Sequence, residues 1–110
     1  MFQSCYSIES LDIPTSVVAI GENGLLGCTS LLSVEIPDAV QTIGNDAISY
    51  CDVLATVIVG SGVASIGARC FEGDNALTSV FFKGKTLAQV QAMTNYPWGA
   101  STSVFSAELG

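Results

Sequence analysis

The stretch from Cys28 to Cys51 reads CTSLLSVEIPDAVQTIGNDAISYC, and its last nine residues, IGNDAISYC (Ile43 to Cys51), decide how the chain is read. The same phrase stands 23 residues earlier as IGENGLLGC (Ile20 to Cys28) and 23 residues later as IGARCFEGD (Ile66 to Asp74). Numbering each unit from its Cys, with Asp74 in the fourth Cys place, aligns six columns. They are Ile8, Leu31, Leu54; Leu11, Val34, Val57; Ile13, Ile36, Val59; Val17, Val40, Val63; Ile20, Ile43, Ile66; and Leu25, Ile48, Phe71. Every one of these 18 positions is apolar; in a chain that is 49% apolar, chance gives that roughly once in 10⁵ to 10⁶. The period is therefore structural.

A 23-residue unit cannot bury its own inner face, but stacked on a neighbour it can, which is the logic of a solenoid. Val34-Glu35-Ile36 alternates apolar, polar, apolar and predicts a short half-buried strand. Pro14 and Pro37 follow, where the ladder donor is missing and a strand must end. The phrases VVAIG, VQTIG and VASIG predict a second extended piece closing at Gly21, Gly44 or Gly67, a corner whose backbone is shut to residues with a Cβ. A tight turn or short helix then returns the chain to the next Cys. The reading is an α/β solenoid of short parallel strands, about three and a half coils over residues 1–82, followed by a C-terminal cap over 83–110.

The cap is where the period breaks. Thr86-Leu87-Ala88-Gln89 fits a capping box, with Thr86 as N-cap and Gln89 at N3. Leu87, Val90 and Met93 fall on one side of a helix of about two turns, which the Asn95–Gly99 segment ends because Pro97 cannot continue it. A final extended segment, STSVFSAEL, follows. Tyr96 and Trp98 are expected to cover the last coil's hydrophobic end, the other reading being a ligand platform. At the other end, Met1 to Cys5 fits the last five places of a unit. That predicts an N-terminally truncated array whose open coil self-associates.

The pattern of Cys28–Cys51 resembles the BspA-type leucine-rich repeat, approximately C-x-x-L-x-x-V-x-I-P-x-x-V-x-x-I-G-x-x-A-F-x-x-C. The match covers about residues 1–82. Gly24 and Cys70 replace the small Ala47, Gly60 replaces Pro, and Asp74 replaces Cys. FKGKTLAQVQAMTNYPWG (Phe82 to Gly99) resembles the terminal cap of many such arrays. The resemblance implies a right-handed superhelix with strands on the concave side. It also implies an extracellular or surface-attached bacterial protein that binds other macromolecules.

The balance of charge narrows the partners. There are 3 Lys+Arg against 10 Asp+Glu, net −7, and residues 1–68 hold seven acids and no base. Such a surface repels phosphate backbones and anionic lipid, so neither nucleic acid nor membrane is an expected partner. No run approaches 18 apolar residues. With no His, Ser-His and Cys-His nucleophile activation are both missing, and VGSGVASIG lacks the strand-to-helix context of a phosphate loop. No enzyme, metal or cofactor is expected. Cys5, Cys28 and Cys51 would stand in a line ~4.8 Å apart, a geometry that does not converge on a tetrahedral metal. They are read as small buried thiols filling a narrow corner.

What remains is the concave face. One outward row is Ser10, Ser33, Thr56 and Ser79; the next is Asp12, Glu35, Ile58 and Phe81; a third, at the strand entry, is Glu9, Leu32, Ala55 and Thr78. The second row runs from acidic to apolar, and Ile58 and Phe81 gain nothing from the core there, so they suggest a contact surface. The expected function is a non-catalytic, adhesion-type binding module for a protein or glycan. The alternative is a spacer or terminal cap of a longer fibre-like or tail-like protein without its own ligand.

Overall fold

The structure is a computed structural model that describes residues 10–22, 24 and 30–108, with the backbone alone at 10–12. Among the described residues, seven short strands follow the 23-residue rhythm, β1 (Ser10–Asp12), β2 (Ala19–Ile20), β3 (Ser33–Ile36), β4 (Thr42–Ile43), β5 (Thr56–Val59), β6 (Ser65–Ile66) and β7 (Ser79–Phe82), and α1 (Leu87–Gln91) and β8 (Phe105–Ala107) come after them. They form a parallel β-solenoid of about four windings with two sheets, one in the order β1-β3-β5-β7-β8 and one in the order β2-β4-β6.

The register is the sequence period itself. Val34 pairs with Val57 and Val57 with Val80, while Ile20 pairs with Ile43 and Ile43 with Ile66. A parallel ladder needs a long crossover between neighbouring strands, and one winding supplies it. Identical columns therefore stack on themselves. Ile36, Val40, Ile43, Ile48, Leu54, Val57, Val59, Val63, Ile66 and Phe71 are all at most 2% exposed. Alternation within each strand does the sorting, since β3 runs exposed, buried, exposed, buried.

A third side closes each winding without regular strands. The Asp46, Ile48 and Tyr50 N–H groups donate to the Ala68, Cys70 and Glu72 carbonyls at 3.0, 3.1 and 2.8 Å. Turns recur in step: the Val40 N–H donates to the Pro37 carbonyl at 3.1 Å, and the Val63 N–H to the Gly60 carbonyl at 3.4 Å. Side chains add rungs between windings. Asp38 Oδ1 accepts from the Ser61 N–H at 2.9 Å and Asn45 Oδ1 from the Ala68 N–H at 2.8 Å. Buried Ser49 gives its hydroxyl proton to the Arg69 carbonyl, and Arg69 holds Asp46 through two nitrogens at 3.0 and 3.1 Å.

The corner glycines have a different reason from the one expected. Gly44 and Gly67 do not have positive φ; what excludes a side chain is the neighbouring winding. A Cβ on Gly44 would stand 2.6 Å from the Glu22 backbone nitrogen, and one on Gly67 would overlap the Asn45 backbone. At Gly21 it would meet nothing within 4 Å. Close approach of stacked backbones, not the turn, is what requires glycine.

Beyond β7 the period changes from 23 to 25, because Val80 pairs with Phe105. Thr86 Oγ1 accepts from the Gln89 N–H at 3.1 Å, and Gln89 Oε1 accepts from the Thr86 N–H at 2.9 Å. The helix is shorter than two turns: it ends at Gln91 with Ala92 as C-cap, well before Pro97. After it, tight turns bring the chain back under the core, as the Tyr96 N–H to Met93 carbonyl bond (3.3 Å) and the Trp98 N–H to Asn95 carbonyl bond (2.7 Å) show. STSVFSAEL is not extended throughout either: Thr102–Val104 is a 3-10 turn, N-capped by Ser101, before β8. The helical part of this fold is minor.

Candidate functional site

Trp98 closes the end of the core. It is 1% exposed, stacks on Phe82 with centroids 5.9 Å apart and planes at 26°, and meets Phe71 edge-on at 6.0 Å. Its indole Nε1–H donates to the Thr94 carbonyl at 3.0 Å, satisfying the one polar atom of a buried indole. Trp98 therefore has no face left for a ligand. Tyr96 packs edge-on against it at 5.3 Å and is half-buried.

The outward face of the five-stranded sheet presents the rows that the period predicts. Glu35, Ile58 and Phe81 stand side by side in register, and Ser106 of β8 continues the row. Glu35 and Ser106 are exposed, whereas Ile58 and Phe81 are half-buried rather than open to water. Flanking side chains on adjacent strands, ~4.8 Å away, shield large groups that alternate away from the core. Ser33 is exposed, Thr56 and Ser79 half-buried. Ser10 and Asp12 pair with Ser33 and Glu35 through the backbone; their side chains, and Glu9 as a whole, lie outside what is described. In the entry row Leu32 is 49% exposed, and Thr78 Oγ1 donates to the Ala55 carbonyl at 3.1 Å. Five strands at this spacing span ~19 Å.

Electrostatics on the flanks are simple. Lys83 Nζ stands 3.6 Å from Asp38 Oδ1; the Ser61 backbone N–H, more than Lys83, holds the Asp38 carboxyl below its ordinary range. The Asp46 carboxylate holds the Arg69 guanidinium above its usual range. In the Cys column, Cys51 is fully buried, and Cys5 and Cys28 lie outside the described residues. Cys70 is buried in the small-residue slot, and burial pushes its thiol well up, so it does not offer a thiolate nucleophile.

One residue was missed from sequence: Asp74. It stands in the Cys column, is 8% exposed, and accepts the Cys51 N–H on Oδ1 at 2.8 Å. Burial pushes its carboxyl up to about 8. The signal was present, a lone acid in a place that repeats as Cys.

The windings, their common register and the burial of the column residues from Leu31 to Phe71 fix the repeat type. The family model described as BspA type Leucine rich repeat region (6 copies) matches residues 1–96. The chain belongs to the BspA-type leucine-rich repeat family. No curated protein and no solved structure matches it. BspA-type repeats are generally non-catalytic protein-binding modules, typically surface or extracellular. Among the described residues of this BspA-type chain, no helix is long and apolar enough to cross a membrane.

Proposed function

We propose that this chain is a non-catalytic, adhesion-type recognition module of a bacterial surface or secreted protein, binding a partner through the outward face of its five-stranded sheet. The observation that carries this reading is the in-register row Glu35, Ile58, Phe81 and Ser106. Two adjacent strands there hold large apolar side chains on the face turned away from the core. Burying them against a partner removes apolar surface worth ~25 cal/mol per Å², and aromatic anchors are the side chains that dominate such contacts. Glu35 at one end of the row favours a partner with a basic or hydroxyl group opposite it. A face ~19 Å wide is small for a specific interface, so further windings beside it would extend the same rows.

A spacer role is the second reading, and the nearly uniform row Ser33, Thr56 and Ser79 is what favours it. An array of extracellular-matrix proteins and glycans, probed with the chain and with Phe81→Ala, separates the two. Capture that depends on Phe81 supports recognition through this face; capture indifferent to Phe81 overturns the assignment of the face, and capture of nothing supports the spacer.

A further inference from the structure

The third side of the solenoid carries an aromatic side chain that the core does not use. Tyr50 is 51% exposed and stands outside the hydrophobic core. In the repeat it occupies a place that is Gly27 one unit earlier and Gly73 one unit later. That place has a reason to be glycine. Backbone φ is 59° at Tyr50 and 77° at Gly73, the left-handed region that a bulky residue enters only at a cost. A tyrosine held there, with no core packing in return, points to a task at the surface.

The ring is held in one orientation. A Cβ added to Gly73 would stand 2.3, 2.6 and 3.0 Å from Cδ1, Cε1 and Cγ of Tyr50. A point that close to three consecutive ring atoms lies above the ring plane, not beyond its edge. Gly73 therefore supports one face of the ring, and the other face meets solvent. The Tyr50 N–H is tied to the Glu72 carbonyl at 2.8 Å. Its hydroxyl donates to Glu72 Oε2 at 3.3 Å, long for an O–H···O bond and so open to exchange with a ligand. Arg69, fixed by two bonds to Asp46, lies close enough for Glu72 and Tyr50 to act on its charge.

These groups select a ligand. A cation would be drawn to the ring face and to Glu72 but repelled by the Arg69 guanidinium. An anion would be repelled by Glu72 and by the ring face. A sugar hydroxyl is both donor and acceptor, so it suits a carboxylate and a guanidinium side by side, and bonds to charged groups are the stronger ones. The C–H groups on one face of a pyranose carry the weak positive charge that an aromatic face attracts. We propose that Tyr50, Glu72 and Arg69 form a binding site for a neutral pyranose of a glycan, stacked on the free face of the Tyr50 ring. This site lies on a different side of the winding from the five-stranded sheet, so it stands or falls independently of recognition there.

The test is an amide NMR titration of the whole chain with methyl β-glucopyranoside and methyl β-galactopyranoside. Glycerol, which has hydroxyls but no ring face, and tetramethylammonium, a cation, serve as comparisons. Saturable shifts confined to residues 49–52 and 69–74 are expected with at least one sugar and with neither comparison. They are expected to vanish in Tyr50→Gly, which restores the residue of the neighbouring units and relieves the left-handed backbone, so that this variant melts no lower than the parent. No shift with either sugar, equal shifts with glycerol, shifts with tetramethylammonium alone, or a Tyr50→Gly protein that binds like the parent would overturn the proposal. If Tyr50→Gly does not fold, Tyr50→Asn, which also tolerates this backbone, takes its place: undiminished sugar binding in it, or its failure to fold as well, makes the ring a structural cover and overturns the proposal equally.

Discussion

The Trp98 indole lies stacked on the Phe82 ring, 5.9 Å between centroids, so the last apolar column of the solenoid ends on an aromatic plane supplied from outside the repeat. Phe71 and Phe105 flank the same indole at 6.0 and 5.4 Å. A column that repeats every 23 residues has no intrinsic end, and terminal windings of repeat proteins need a different outer face. Here one side chain supplies most of it. Trp98→Ala is expected to lower unfolding free energy by about 3–5 kcal/mol, the range for deleting a buried aromatic, as read from the urea midpoint. A loss below ~1 kcal/mol would mean that the end of the core does not depend on this contact.

The glycine corners give a contrast between chemically identical substitutions. Gly44→Ala places a methyl against the Glu22 backbone, whereas Gly21→Ala meets nothing. Gly44→Ala is therefore expected to cost about 1–3 kcal/mol, as overpacking does, and Gly21→Ala to be neutral. Equal effects in thermal melts would mean that neighbouring windings are not this close.

Asp74 sets a pH dependence whose direction is opposite to ordinary acid denaturation. Its folded value, about 8, lies above the ordinary 3.8. Between those limits the unfolded chain has released the proton and the folded chain still holds it. Stability therefore falls as pH rises from about 4 to about 8, by at most ~1.4 kcal/mol per unit, and is level above that. Asp38, held low by the Ser61 N–H, acts only below about pH 4, where its contribution is lost. Melting temperature is expected to drop from pH 5 to 8 in the parent and to stay flat in Asp74→Asn. A parent curve that is flat across that window refutes the assignment.

On the sheet face, Ile58→Ala and Phe81→Ala remove half-buried side chains next to fully buried ones. Each is expected to cost about 1 kcal/mol of stability, well below the 2–5 kcal/mol of a core truncation, while abolishing capture of whatever partner an array identifies. Loss of the far-UV circular dichroism signal in both variants would place these residues in the core instead.

The columns could be read from the sequence because burial here follows a single period: Val34, Val57 and Val80 recur at 23, and so do their ladder partners. The capping box was legible because Thr86 and Gln89 satisfy each other locally. What escaped depends on contacts between windings. The reason for Gly44 lies in the backbone of Glu22, the shielding of Ile58 and Phe81 in their neighbours across the sheet, and the seat of the Tyr50 ring in Gly73 of the next winding. The helix stops early because the chain must turn back to seat Trp98, a demand that no local pattern carries. Of the Cys column, Cys51 alone falls within the described residues.

Inter-strand nuclear Overhauser contacts test the stacking most directly. If the windings pile in register, backbone protons of Val34 touch those of Val57, and Val57 those of Val80, in a parallel pattern at a constant 23-residue separation that changes to 25 between Val80 and Phe105. Antiparallel cross-peaks, or pairings at any other separation, would contradict it.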